Sequence, residues 1–337
     1  LDPSYFIGAV PVDMPETSRI GKGKLFILEG DEYPSSNTDP RSKFLWYRPD
    51  NLLLTAAEHD HVNVFPTLTE YLAPFRELLA RVPEKGLVGA CAEAPNVRSL
   101  LSEYPDAITY GLTDGLWHAE DISYGAETSF DLYRGETRVV SLRTPLLGAH
   151  SIENIVGVSA LLLEKKLLSP AQLESTVSGF HGLLRRLDLK TRGSSVPVYE
   201  GFGSSYRKAK AAIAALRLHF PGRRLLVVFE PHSFSWRDRA ALHWYDDVFK
   251  ECDKVFLYEP YESAEQGAET HDQLSQAEIL ERVRASGVAV ATVNAAEGKA
   301  LVMQALAPED VVLLMSSGNM GGLIKSIPEA VEEQFAR

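Results

Sequence analysis

The sequence predicts an α/β protein of two domains, a mostly parallel sheet carrying an antiparallel hairpin and then a parallel sheet wound on both sides. Three observations lead there. Short continuous apolar runs in the first quarter end in acidic loops, as strands buried on both faces of a parallel sheet do. After residue 185 apolar runs alternate regularly with helical patterns, the signature of a doubly wound sheet. And 337 residues exceed one ordinary core, at a prior of roughly 150 residues per domain.

In chain order, residues 1–24 read as loop and 25–28 as a buried strand. A second strand spans 52–55. Residues 67–81 form a helix, with Leu68, Tyr71, Leu72, Phe75, Leu78 and Leu79 at helical spacing. Leu87–Cys91 is a third buried strand, 96–103 a short helix and 107–110 a short strand. Runs at 130–133 and 139–142, joined by Arg134-Gly135-Glu136-Thr137, read as a hairpin. A helix at 151–165 carries Ser151 as its cap, and Ser169-Pro170 starts another. Beyond the boundary near 184, strands lie at 196–199, 225–229, 254–258, 288–293 and 311–315. Helices lie at 205–219, 239–252, 274–285 and 298–306. The domains are therefore 1–184 and 185–337.

Composition excludes several classes. A net charge of −12 argues against nucleic acid. No apolar stretch approaches ~18 residues, so no membrane span is expected. Two cysteines far apart, Cys91 and Cys252, exclude a disulfide framework and make a reducing cytoplasm the default. The start, Leu1-Asp2-Pro3-Ser4-Tyr5, has no basic n-region and reads as a cut end. From Arg185 to Arg239 the chain carries twelve Lys or Arg against four acids. This basic island in an acidic chain suggests a small polyanionic ligand, or else a surface without a partner.

The chemistry sits at the strand exits. Leu25-Phe26-Ile27-Leu28 runs into Glu29-Gly30-Asp31-Glu32-Tyr33, and Leu52-Leu53-Leu54-Thr55 into Ala56-Ala57-Glu58-His59-Asp60-His61. Ligands of open α/β sheets bind beyond the carboxyl ends of the strands. Carboxylates with an imidazole there suit a magnesium ion that carries phosphates, and idle solvated loops are the plainer reading. A strand, Glu200-Gly201-Phe202-Gly203-Ser204-Ser205-Tyr206 and a helix N-terminus form an anion-binding arrangement. The third glycine of a dinucleotide fingerprint is absent, and Glu230, a candidate ribose partner, stands roughly thirty residues downstream rather than about twenty. Ser316-Ser317-Gly318-Asn319-Met320-Gly321-Gly322 follows the last strand. Gly21-Lys22 is not a phosphate loop, and no G-x-x-x-x-G-K-[ST] occurs anywhere.

Several of these blocks, taken in order, resemble the Mur ligases. They are Tyr5-Phe6-Ile7-Gly8-Ala9-Val10-Pro11; Ile27-Leu28-Glu29-Gly30-Asp31-Glu32-Tyr33; Arg41-Ser42-Lys43-Phe44 with Tyr47-Arg48-Pro49; and Glu58-His59-Asp60-His61 for E-x-D-H. Gly148-Ala149-His150-Ser151-Ile152-Glu153-Asn154 is similar to G-x-H-N-x-x-N, and Phe180-His181-Gly182-Leu183-Leu184-Arg185-Arg186-Leu187-Asp188 to F-x-G-x-x-R-R-x-E. Phe229-Glu230-Pro231-His232 and Met315-Ser316-Ser317-Gly318 fit the family's third domain. The likeness spans the chain and is strongest to the murein-recycling branch.

The resemblance implies a central ATPase-type domain, without the family's phosphate loop and its N-terminal UDP-binding domain, followed by a Rossmann-like C-terminal domain. It implies an ATP- and magnesium-dependent amide ligase joining a short cell-wall peptide to UDP-N-acetylmuramate through an acyl phosphate, as a cytoplasmic monomer or weak dimer. By that likeness Glu29 and His61 hold magnesium, Asn154 contacts adenine, Arg186 reaches the ATP phosphates with Arg185 assisting, and His150 lies behind them. Glu200 is what remains of a nucleotide-contacting acid in D-D-[YF]-A-H-H-P, whose two histidines are replaced. Asn63 and Ser151 also depart from the pattern. The chain by itself is expected to be inactive without the phosphate loop. A non-catalytic, ligase-derived module that binds nucleotide or peptide is the alternative, and a dinucleotide enzyme using Gly201, Gly203 and Glu230 a third reading.

Overall fold

A computed structural model describes residues 1–14, 16–59, 64–259 and 273–337. It divides into two compact units, Leu1–His181 and Gly182–Arg337.

In the first unit, β1 (Ser4–Phe6) pairs antiparallel with β2 (Ser18–Arg19) and parallel with β3 (Phe26–Leu28). β4 (Pro34–Ser36) and β5 (Asp39–Ser42) form a separate ribbon. Then come β6 (Asn51–Leu54), α1 (Leu68–Ala80), β7 (Leu87–Cys91), α2 (Pro95–Leu101), β8 (Ile108–Tyr110), β9 (Trp117–Tyr124), β10 (Thr128–Arg134) and β11 (Thr137–Thr144), followed by α3 (Ala149–Glu164) and α4 (Pro170–Ser178). Strands β6 to β11 lie side by side in the order β11-β10-β9-β8-β7-β6. β6 to β9 run parallel, and β10 turns back against both β9 and β11, so the expected hairpin is present and extended by one strand. Apolar side chains of α1 and α2 (Tyr71, Phe75, Leu79, Val97, Leu100) pack into one cluster with Leu54 and Ala90. A second cluster joins Ile152 and Val156 of α3 and Leu173 of α4 to Tyr110, Trp117, Phe130 and Leu132.

In the second unit the elements are β12 (Arg186–Leu189), β13 (Val198–Gly201), α5 (Tyr206–His219), β14 (Leu225–Phe229), α6 (Phe234–Arg237), a 3-10 segment (Arg239–Asp246), β15 (Lys254–Tyr258), α7 (Gln276–Ala285), β16 (Ala289–Val293), α8 (Gly298–Ala305), β17 (Val311–Met315) and α9 (Leu323–Gln334). The sheet order is β12-β13-β17-β14-β15-β16, parallel except for β12. The central strands β14 and β17 are buried along their whole length, as their unbroken Leu/Val runs require.

Four expectations are corrected. The run 25–28 does form a strand, but Phe26 is 64% and Ile27 52% exposed. An apolar run specifies strand geometry, whereas burial depends on a second layer, and no described helix lies across β3. The helix expected at 239–252 is a 3-10 segment followed by single turns. Here Trp236 and Tyr245 are both fully buried, and the Tyr245 hydroxyl donates to the Trp236 carbonyl at 2.8 Å, which goes with the tighter three-residue turn of a 3-10 helix. The third helix starts at Ala149 with Gly148 as its cap at φ 89°. Ser151 lies inside it and turns its hydroxyl back to the Leu147 carbonyl, 2.8 Å away. Finally, β1 and β2 (in a stretch expected to be loop), β4, β5, β9, β12, α6 and α9 were not read from the sequence: Asp121 at φ 51° interrupts the alternation of β9, and Pro328 sits inside α9.

Candidate functional site

The exit of β3 lies beside that of β1. The two strands pair in register, and the Glu29 amide donates to the Phe6 carbonyl at 3.0 Å. The chain then brings Gly8 against the Glu29 side chain, and the Gly8 amide donates to Glu29 Oε2 at 2.6 Å. A Cβ at residue 8 would lie 3.1 Å from that oxygen, so glycine permits the approach. Glu29 is exposed. Its neighbour Asp31 is already occupied, with Oδ2 on Lys43 Nζ at 2.6 Å and Oδ1 taking the Tyr33 amide at 2.8 Å. Glu29 therefore has one oxygen anchored on the Gly8 amide and, among the described residues, no partner on the other.

The exit of β6 is built differently. The His59 ring donates through Nε2 to the Phe65 carbonyl at 2.7 Å and leans on Tyr71, 5.5 Å between centroids. Asn96 donates to the Ala57 carbonyl at 2.8 Å. Asp60, His61 and Asn63 lie outside the described residues, so the expected pairing of Glu29 with His61 falls there too. β3 and β6 belong to different hydrogen-bonded sheets. Among the described residues no group of three His, Cys, Asp or Glu is placed to hold a metal.

Beyond β7 a polar cluster gathers at the start of α3. Glu93 accepts from the Thr113 amide at 2.7 Å, the Thr113 hydroxyl at 3.0 Å and the Asp114 amide at 2.9 Å. Burial works to raise its carboxyl, and these donors outweigh burial and hold it below its ordinary value. Glu153 moves the opposite way, raised by burial and then by the Glu93 charge. Burial likewise raises the Cys91 thiol. His150 and Asn154 stand one turn apart on α3, both exposed. His150 has accessible surface yet is crowded by protein on most sides, and that desolvation lowers its imidazole. Sequence reasoning missed Glu93, which belongs to no motif it considered, and Glu153, which it passed over at a variable position of the Gly148–Asn154 block.

In the second unit Glu200 is buried. Its Oε1 accepts from Arg185 Nε at 2.9 Å, and Lys190 Nζ lies 3.2 Å from Oε2 and 3.1 Å from Asp188 Oδ2. Burial opposes the Lys190 charge, but these carboxylates outweigh it and raise its proton affinity. Glu230 is also buried; its carboxylate takes the Ser316 hydroxyl, whose oxygen in turn accepts the Gly318 amide at 2.7 Å. His232 Nδ1 and Ser317 Oγ are 3.1 Å apart. The Gly201-Phe202-Gly203 turn is held by Trp236, whose indole donates to the Gly203 carbonyl at 2.7 Å, and by Ser233, whose hydroxyl donates to the Ser204 carbonyl at 2.8 Å. Glu230 thus sits in the interior on Ser316, which does not suit a ribose partner. Part of the basic island is paired off, on partly exposed surfaces: Arg217 pairs with Asp253, Arg224 with Asp310, Lys210 with Asp247 and Arg239 with Glu278. Arg186 differs. It is exposed at the start of β12, and among the described residues its side chain makes no ion pair.

Comparison with known proteins gives these arrangements a setting. The family model of the Mur ligase middle domain matches residues 14–162, and that of the Mur ligase glutamate ligase domain matches 185–318. The chain belongs to the Mur ligase family. A UDP-N-acetylmuramate–L-alanine ligase from Roseiflexus sp. is 28% identical over 343 residues, spanning 94% of this chain and 69% of the relative. Among solved structures, the UDP-N-acetylmuramate-alanine ligase MurC of Thermotoga maritima superposes with a TM-score of 0.74 at 19% identity, over 98% of this chain and 69% of that one. A murein peptide ligase from Psychrobacter arcticus 273-4 does so at 0.61 and 19%, over 100% and 73%. These two show a shared fold. The likeness holds at the level of the Mur ligase family, whose members are ATP-dependent amide-forming ligases of peptidoglycan precursors; the curated relative is named for L-alanine addition. Among the described residues of this Mur ligase chain no helix is long and apolar enough to cross a membrane.

Proposed function

We propose that the chain is the catalytic body of an ATP-dependent ligase that joins a short murein peptide to the carboxylate of UDP-N-acetylmuramate. The observation that carries this reading is the ordered match of both Mur ligase domains, over 14–162 and 185–318. A carboxylate oxygen of the muramate attacks the γ-phosphorus of ATP and ADP departs. The peptide amine then attacks the carbonyl carbon of the acyl phosphate, phosphate leaves with the C–O electron pair, and the amine gives up a proton. Little covalent work falls to the protein, so positioning and charge neutralisation dominate.

Magnesium fits the exit of β3 because such an ion commonly takes one or two carboxylates and completes its shell with phosphate and water. Glu29, anchored by Gly8 with one oxygen open, is the ligand in this reading, with His61 as its partner, and bound magnesium would neutralise charge on the transferred phosphoryl group. Asn154 meets adenine, His150 is neutral beside it at pH 7, and the exposed Arg186 faces phosphate. The Glu230–Ser316–Gly318 exit receives the amine. Arg185 and Glu200 pair with each other, which in this reading leaves the phosphates to Arg186. The two buried free thiols support a reducing, cytoplasmic setting.

The peptide as amine donor rests on the likeness of the ordered blocks as a set to the murein-recycling branch. L-alanine is the second reading, favoured by the name of the curated relative. The test supplies the complete gene product with ATP, magnesium and UDP-N-acetylmuramate, and measures ADP formed with tripeptide, with L-alanine or with neither. Tripeptide-dependent ADP with a matching ligated product is expected, and Glu29→Gln should lower kcat about 100-fold, the scale of one lost transition-state charge contact. Turnover with L-alanine alone would reassign the donor. Binding of nucleotide without turnover on either amine would favour the non-catalytic module.

A further inference from the structure

We propose that Arg185 is a positioning residue. It clamps the loop 316–318 onto the end of β13, and so fixes the strand-end crevice in which Glu230, Ser316 and His232 meet. The proposal goes beyond the functional reading above and rests on it in one respect, that this crevice receives the amine.

The contacts of Arg185 all lie within the second unit. Its Nε donates to Glu200 Oε1 at 2.9 Å. Its Nη2 donates to the Ser316 carbonyl at 3.2 Å and to the Gly318 carbonyl at 2.7 Å. The guanidinium carbon lies 5.0 Å over the Phe202 ring. Glu200 is the penultimate residue of β13, and Ser316 follows the adjacent strand β17, so one planar fork ties two neighbouring strand exits together. A guanidinium can meet a carboxylate and two carbonyls at once because its donors diverge in a plane; an ammonium offers only a point charge.

The tied loop is the one that shapes the crevice. Ser316 Oγ reaches Glu230 and accepts the Gly318 amide. Gly318 lies so close to His232 that a Cβ there would approach the imidazole ring to 2.7 Å. Movement of 316–318 would therefore displace Glu230 and His232 together. The backbone carries the same message. Arg185 and Leu187 sit at φ 64° and 52°, a region that side chains other than Gly, Asn and Asp seldom occupy. Such conformations persist where the surroundings over-determine them, and the four contacts of the guanidinium do that here. A phosphate-binding arginine keeps its fork open to solvent, which describes Arg186.

Arg185→Gln and Arg185→Lys in the complete protein test the proposal by three readouts. Amide hydrogen exchange at 316–318 should quicken at least tenfold in Arg185→Gln, with exchange in β14 and β15 unchanged. ADP affinity should stay within twofold of the parent, and the KM for the amine should rise about tenfold while that for ATP stays level. Arg185→Lys should fall between parent and Gln. Glu200→Gln, which keeps an acceptor and removes the charge, should move exchange in the same direction and guards against a misfolded arginine variant. Unchanged exchange together with a tenfold loss of ADP affinity would overturn the proposal and return Arg185 to the phosphates. If the complete protein ligates nothing, the exchange readout still decides the clamp, and the failure then belongs to the functional reading.

Discussion

Gly157, in the middle of α3, shows how a single residue carries a packing decision that composition does not announce. A Cβ added there would fall 2.5 Å from two ring carbons of Tyr110, which is fully buried. The helix takes glycine, at a propensity cost of about 1 kcal/mol against alanine, so that the ring can lie flat on its backbone. Gly157→Ala should destabilise the protein by about 1–3 kcal/mol, the range for overpacking, despite its better helix propensity. Adding Tyr110→Leu should recover part of the loss, because the two sites share one space. Urea melts of the single and double variants check this; a neutral or stabilising Gly157→Ala would refute it. At the same scale the family resemblance singled out Glu29 and Arg186, and both side chains are exposed. It could not foretell that Arg185, adjacent to Arg186 and identical in type, would turn inward to Glu200. Arg185 stands just before β12 at φ 64°, and which of the two arginines finds a partner depends on strands far along the chain.

Elements were legible where a local signal suffices. The α1 pattern, the hairpin turn and the Ser169-Pro170 helix start are all present. α7 adds a testable case. Ser275 accepts the Glu278 amide, and the Glu278 carboxylate takes the Ser275 amide and hydroxyl while pairing with Arg239. Ser275→Ala should cost about 1 kcal/mol. Arg239 first, and then the Ser275 amide and hydroxyl, hold the Glu278 carboxyl down to about 2 from an ordinary 4.5. A depressed folded-state value means that the contribution of Glu278 is complete above pH 4.5 and fades as pH falls toward 2. The Tm difference between parent and Glu278→Gln should therefore be largest near pH 6 and shrink steadily between pH 4.5 and 3; a constant difference would show that the charge contributes nothing. Elements failed to be legible where long-range contacts override the local pattern. The 3-10 segment at Arg239–Asp246 follows from the anchoring of Trp236 on Gly203, and the exposure of β3 follows from the absence of a covering layer in the described chain.

For the molecule as a whole, each unit has its own buried clusters. A fragment of residues 182–337 should accordingly fold alone and melt cooperatively, which calorimetry can check; a broad, non-cooperative transition would contradict it. The sequence by itself determined the α/β class, the run of parallel strands, the identity of the charged residues at their exits and the likeness to the Mur ligases. Those features follow from periodicity and from side chains whose chemistry is local. Only the tertiary structure decided which charges remain available. Part of the basic island was paired off with carboxylates, Glu200 and Glu230 were drawn into the interior, and Glu29 and Arg186 were left at the surface. The reason is physical: a buried charge must find a partner or lose its solvation uncompensated, and partners are assigned by the sheet order that brings β13, β17 and β14 together, which no local stretch of sequence encodes.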